Sequence, residues 1–316
     1  MAALQFMSRL RAVPWDPLYW LRVALLTLGR ALTRLWGRDV MLYTGGVSFF
    51  SLLAIFPGLA ILITLYSLLS SPLQAAQEGE ALALIVPEGA RGILTQELVR
   101  LAHAPHVAMT AQGAFALLIG LYASHRGFKA MLAGLSFIHD EDEPRGFVGF
   151  NVLALVVLVA TFALLSVVSA AFLGLRVMGS AFDLKPLRGV SWLYSEWTWA
   201  TVVLILGMSL IYRWAMSSRP VNWRASLLGG FSATALCLFA SWAIAVYVEQ
   251  IATLGATYGS IATVVIFLIW LSWNVNAIFF GGALATEVEI SIDAHEARLA
   301  LVDPRGAAPR VSPPES

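Results

Sequence analysis

A single cysteine, Cys237, is all the thiol this chain contains, so it can form neither an internal disulfide nor a cysteine-built metal cluster. Charge is nearly as scarce: 12% of the 316 residues are Asp, Glu, Lys or Arg, against 59% hydrophobic. A soluble chain of this length would need more polar surface than that, so the surrounding solvent is hydrocarbon. A formal net charge of +1 offers no global attraction to nucleic acid, and any electrostatic argument must come from where the charges lie. Catalytic signatures are missing too. There is no phosphate-cradling Gly-rich loop followed by Lys-Ser/Thr, no His-Glu-x-x-His and no Gly-x-Ser-x-Gly. The five histidines (His103, His106, His125, His139, His295) are scattered without ligand spacing. The chain is therefore expected to be no enzyme, to hold no cofactor or metal, and to bind no nucleic acid.

What is abundant is long apolar runs. Crossing about 30 Å of hydrocarbon at 1.5 Å per residue takes about 20 apolar residues. Six stretches qualify: 47–70, 107–124, 147–175, 197–216, 225–248 and 261–286. The expectation is an all-α polytopic membrane protein of six transmembrane helices (residues 41–290), with an N-terminal arm (1–40), amphipathic loop helices and a disordered Pro-rich tail (291–316). Fifteen of the 20 Lys and Arg residues fall in the arm, the even-numbered loops and the tail. The excess of positive charge marks the inner side, which puts both termini in the cytoplasm of a bacterial inner membrane.

The arm is interrupted by arginine too often to span. Arg30, Arg34 and Arg38 recur every four residues, with Leu25, Leu28, Leu32, Leu35 and Trp36 mostly on another side. That pattern fits a basic amphipathic helix, either lying on the anionic inner leaflet or packed beneath the bundle. Residues 71–105 suggest an outer amphipathic hairpin, and 126–139 a second amphipathic segment, ending in His-Asp-Glu-Asp-Glu-Pro. Pro144 forces a break there before the next span, and solvated acids explain the run better than a metal site.

Helices in lipid approach closely where side chains are short. The fifth run presents such a face in Ser226, Gly230, Thr234, Cys237, Ser241 and Ala245, and the first in Thr44, Ser48, Ser51 and Gly58, beside Pro57. Pro57 removes a backbone hydrogen bond and should bend or break its helix. In the last run Asn276, Phe280, Ala283 and Glu287 share one stripe, whereas Asn274, Gly281 and Ala285 lie nearly opposite. The two asparagines should therefore meet different neighbours, either as helix-to-helix glue or as parts of a polar path. Glu287 and Glu289 are expected at the inner interface, where a carboxylate costs little.

Several motifs together resemble the YihY/BrkB family of bacterial inner-membrane proteins, over roughly residues 30–290. They are Trp223-Arg224 before the fifth run, the Tyr258-Gly259-Ser260 turn before the sixth, Trp270 within it and the Gly281 to Glu287 close. The early GGVSFFSLLAIFPGLAIL and YASHRGFKAMLAGLSFIHDEDEPRGF resemble the family's first span and cytoplasmic elbow. One departure stands out. The family's closing Gly-Ala-Glu-Leu-Asn falls on Gly281 to Ala285, so its glutamate is Ala283 here and its asparagine Ala285. Asn276 or Glu287 would have to substitute. The resemblance implies a membrane location and transport or lipid movement rather than the ribonuclease activity once attached to the family.

The leading expectation is a transporter or lipid-translocating protein. Its candidate interior and kink residues are Ser48, Ser51, Pro57, Tyr258, Ser260, Asn274, Asn276 and Glu287, and Arg126, Lys129 and Arg224 are candidate contacts for an anionic headgroup or solute. Membrane lipids, an anionic substrate and further copies of the chain are the expected partners. The alternative is an envelope scaffold that assembles through its small-residue faces.

Overall fold

The computed structural model describes residues 17–36, 40–67, 111–140, 146–181, 196–250 and 261–302. The expected outer hairpin at 71–105 and the Tyr258-Gly259-Ser260 turn lie outside the described residues, as does the chain beyond 302. Within them the protein is all-α. Seven helices follow in order: α1 Pro17–Trp36, α2 Met41–Ser67, α3 Ala111–Ile138, α4 Phe147–Ala181, α5 Glu196–Trp214, α6 Trp223–Gln250 and α7 Ile261–Val302. Each of the six apolar runs read from sequence lies largely on one of α2 to α7.

Three helices are long and apolar enough to cross a membrane among the described residues, over Val148–Val168, Trp223–Val248 and Val264–Ala294. Shorter apolar stretches cover Met41–Ile55 and Thr198–Trp214. The helix surfaces fit an apolar solvent. Along α4, Val148, Val152, Leu155 and Val159 are all exposed, a pattern that water would penalise and lipid does not.

Helix α7 is the hub, packing against α1, α2, α3, α5 and α6. Its contact with α6 is the most extensive, and glycine explains why. A Cβ on Gly281 would stand 2.6 Å from Ala233 Cβ, 2.7 Å from the Gly229 carbonyl oxygen and 2.7 Å from the Tyr212 hydroxyl. A Cβ on Gly229 would likewise stand 2.6 Å from the Gly281 carbonyl oxygen. Two glycines facing each other let the backbones meet, and close van der Waals packing is what holds helices together where hydrocarbon removes the hydrophobic drive. Tyr212 of α5 closes the crossing, fully buried, with its hydroxyl donating to the Ile278 carbonyl at 2.7 Å.

Three expectations are corrected. Pro57 does not break its helix: α2 continues to Ser67, and the proline ring lies directly against Gly120 of α3, where any Cβ would overlap it. A glycine opposite the ring makes room for it, and keeping the flanking turns helical leaves fewer backbone groups unsatisfied than a break would. The stretch 126–139 is no separate element but the second half of α3. The last helix does not give way to tail at residue 290. The run Glu289 to Val302 has no Gly or Pro and continues α7 to Val302. Of the two readings left open for the arm, α1 takes the packed one and is docked against the bundle. Ala31 and Leu35 are buried against the bundle, while Leu25, Leu28, Leu32 and Trp36 stay exposed.

Candidate functional site

Two groups of polar side chains meet on α7. The first lies between α2 and α7. Thr44 Oγ1 donates to Asn276 Oδ1 at 3.0 Å, and one turn further along, Ser272 Oγ donates to Ser48 Oγ at 3.3 Å. A step of +4 on α2 matches −4 on α7, so the helices run antiparallel with two polar rungs facing each other. Thr44 and Ser48 are buried, at 5% and 2% exposed. Ser51 follows on α2, half-buried.

Apolar layers close this polar stretch at both ends. Beyond Ser48, Leu52 and Ile55 pack against Phe267, Trp270 and Leu271, with the Phe267 and Trp270 rings stacked. Beyond Asn276, Phe279 is fully buried, its ring against Gly134 of α3. Ala283, also fully buried, continues the stripe toward Glu287. Position 283, where the resemblance implies a glutamate, is thus filled by a methyl group in the tightly packed part of the bundle.

Asn274 faces the other way. Its Nδ2 donates to the Trp270 carbonyl at 2.8 Å, and its own carbonyl accepts from Cys237 Sγ of α6 at 3.7 Å. Trp270 Nε1 donates to Ser241 Oγ at 3.0 Å. The two asparagines do meet different neighbours. The small-residue face of α6 is shared within the chain: Cys237 and Ser241 turn to α7, and Gly230 rests against Ser209 and Ile205 of α5. The α6 face serves close packing between helices.

The second group gathers at the end of the bundle where α1 docks. Arg34 Nε donates to Glu287 Oε1 at 2.8 Å, and its terminal nitrogen donates to the Ile138 carbonyl at 3.0 Å and to Asp140 Oδ2 at 2.5 Å. One guanidinium therefore ties α1 to α7 and satisfies a carbonyl left unpaired at the C-terminus of α3, where positive charge is favoured. Asp140 adopts φ 58°, a left-handed conformation that Asp tolerates, as α3 ends. His139 Nδ1 is 3.0 Å from Thr286 Oγ1, and its Nε2 is 3.7 Å from Glu289 Oε2. Glu289 Oε1 also accepts the backbone N–H of Asn222 at 3.1 Å. Glu287, expected both among the interior polar residues and near the inner interface, is 7% exposed and held by the Arg34 guanidinium.

The three expected headgroup contacts are divided. Arg126 and Lys129 lie on α3 beside α4, where Lys129 Nζ donates to Asn151 Oδ1 at 2.9 Å and Arg126 Nε to the Tyr122 hydroxyl at 2.9 Å. Arg224 is exposed at the start of α6, where its backbone N–H receives the side-chain cap of Asn222. Arg213, the one charge in its run, ends α5 with its guanidinium 4.5 Å from the Trp223 ring centre, and it donates to the Val221 carbonyl. Sequence reasoning missed Arg34 and Asp140 as site residues. The four-residue arginine spacing marked a helix, but no local signal says which arginine docks.

The family model for virulence factor BrkB matches residues 31–303. The chain belongs to the virulence factor BrkB family. That match begins within α1 and ends just past α7, so it takes in both polar groups. Among relatives, a "putative ribonuclease-like protein YfkH" of Bacillus subtilis is 22% identical over 242 residues, 75% of this chain and 86% of the relative. A "UPF0761 membrane protein" of Verminephrobacter eiseniae is 35% identical over 104 residues, 32% of this chain. Another, of Bordetella petrii, is 33% identical over 73 residues, 23% of this chain. The chain's matches span only 24% and 16% of the lengths of those two. No solved structure matches. The BrkB-family chain is a membrane protein by family and by its apolar helices, and among the described residues no group of three or more His, Cys, Asp or Glu is placed to hold a metal ion.

Proposed function

We propose that this BrkB-family chain is a six-span inner-membrane protein, both termini cytoplasmic, that moves an anionic solute or lipid headgroup along the α2–α7 contact. The observation that carries the reading is the pair of buried polar rungs, Thr44–Asn276 and Ser48–Ser272, closed off by apolar layers on both sides. Polar groups at membrane depth are the default place to look for a route through a bundle. Parting of α2 from α7 would free a hydroxyl and an amide at one rung and two hydroxyls at the other for a passing polar group, and closure would pair them again. The Arg34–Glu287 contact stands on the inner side and sets how readily that end opens. The charge asymmetry of the loops supports the orientation.

The scaffold reading is less well supported, because Gly229, Gly230 and Gly281 are already used between α5, α6 and α7 of the same chain. The ribonuclease-like name belongs to the Bacillus subtilis relative, and no group among the described residues calls for nuclease chemistry. Purified protein in liposomes tests the proposal. Labelled phospholipid or organic anions should move faster than in protein-free vesicles, and Asn276→Leu should abolish the increase with insertion intact. Movement at the protein-free rate for both classes would overturn it.

A further inference from the structure

On the flank of the bundle, α3 changes character along one stripe. At 100° per residue, Leu118, Tyr122, His125, Arg126 and Lys129 fall within an arc of about 100°. Leu118 and Tyr122 are 65% and 56% exposed, and Arg126 is exposed. Within about 12 Å of helix rise between Leu118 and Arg126, an outward apolar surface thus becomes a cationic one. Helix α4 supplies the matching rim. Asn151 holds Lys129 Nζ at 2.9 Å through its side chain, and its backbone carbonyl lies 3.2 Å from His125 Nε2. Next to Asn151, Val152 and Leu155 are exposed.

We propose that this groove between α3 and α4 binds an anionic phospholipid of the inner leaflet, its phosphate on Arg126 and Lys129 and its acyl chains along Leu118 and the Val152–Leu155 edge. The inference rests on the membrane-spanning reading above but not on transport. Two cations on the lipid-facing flank of a spanning helix are costly unless they reach the interface, where phosphate is the anion at hand. The side chains are pre-placed for that. Arg126 is folded over the Tyr122 ring, 5.3 Å from its centre, and the hydroxyl takes only one of its five N–H groups. Lys129 is fixed by Asn151 rather than left to sweep, so less side-chain freedom is lost on binding. The start of α4, a few residues before Asn151, adds the favourable field of a helix N-terminus. The order along the stripe, apolar toward the membrane centre and basic toward the interface, is that of a phospholipid molecule. A free phosphate would use only half of it.

Native mass spectrometry of the full chain in neutral detergent provides the test, with phosphatidylglycerol or phosphatidylcholine added. The wild type should retain phosphatidylglycerol in preference by about tenfold or more, as two interfacial cations imply. Arg126→Gln with Lys129→Gln should bring the two lipids to parity, whereas Arg219→Gln, which removes an exposed loop charge, should not. Arg126→Gln alone, which disturbs only an exposed contact, should lose part of the preference with unchanged elution on a sizing column. Millimolar inorganic phosphate should leave the bound lipid in place. Equal retention of both lipids by the wild type, unchanged preference in the double variant, or displacement by inorganic phosphate would overturn the site. Asn276→Leu separates the two proposals, since it should end movement while leaving lipid retention intact.

Discussion

Arg34 and Glu287 are 253 positions apart in sequence and joined at 2.8 Å, with side chains 13% and 9% exposed. The contact converts an N-terminal arm into part of the bundle. Removing one partner from a nearly buried pair leaves the other charge without its full complement, although Asp140 and the Ile138 carbonyl still hold Arg34. Glu287→Gln and Arg34→Gln should each lower stability by about 1.5–3 kcal/mol, the range for hydrogen bonds to charged groups. The double variant should be little worse than either single one, and thermal unfolding of all four proteins in detergent measures that coupling. Fully additive losses would mean the pair does not act as a unit.

The α6–α7 crossing should be the least tolerant place in the molecule. Gly281→Val would push a branched side chain into Ala233, the Gly229 carbonyl and the Tyr212 hydroxyl together. Backbone cannot step aside as a flexible side chain can, so a loss of more than about 3 kcal/mol is expected, the upper range for overpacking. Gly46→Ala, whose new methyl would sit 3.9 Å from Ala130, should cost little. The fraction of each variant recovered monodisperse, together with its Tm, distinguishes the two sites.

Thr44→Val and Asn276→Leu remove opposite halves of one rung. Interhelical hydrogen bonds in membranes contribute about 0.6 kcal/mol on average, so neither change should shift stability by more than about 1 kcal/mol. Movement of labelled substrate in liposomes should nonetheless fall at least tenfold in each. Wild-type rates in both variants, with normal expression, would remove the α2–α7 contact from the route.

The helices and the facing of the two asparagines were legible because both follow from local rules. Run length marks a helix in lipid, and a step of 100° sorts Asn276 from Asn274. Partners were not legible. Nothing near Glu287 says that an arginine from the arm will cover it, because the pair depends on how α1 folds back beneath α3 and α7. The fate of Pro57 was hidden for the same reason: the glycine that accommodates its ring is on another helix. The end of α7 lies past the expected start of the tail, because the Pro-rich stretch begins only at Asp303 and Glu289 to Val302 carries no helix breaker. The headgroup residues are half legible: Arg126 and Lys129 share a face of one helix, and Arg224 sits where the sequence puts it, just before the fifth run, but which neighbour each side chain meets has no local signal.

The two sides of α1 give a prediction about its surroundings. Ala31, Arg34 and Leu35 dock, and Leu28, Leu32, Leu25 and Trp36 follow beside them as one exposed stripe within an arc of about 80°. In water such a stripe would be a liability, whereas at a bilayer surface it would lie among acyl chains with Arg30 on the aqueous side. Leu28 and Arg30 are two residues apart and point about 160° away from each other on the helix. Single cysteines at these positions, in a Cys237→Ser background that keeps a donor for the Asn274 carbonyl, can carry an environment-sensitive fluorophore. In nanodiscs the label at Leu28→Cys should be blue-shifted and quenched by lipids with nitroxides on their acyl chains, and the label at Arg30→Cys should respond instead to a water-soluble quencher. Equal exposure of both labels to the aqueous quencher would show that α1 stands clear of the bilayer. The Arg34–Glu287 contact would then hold a helix surrounded by water.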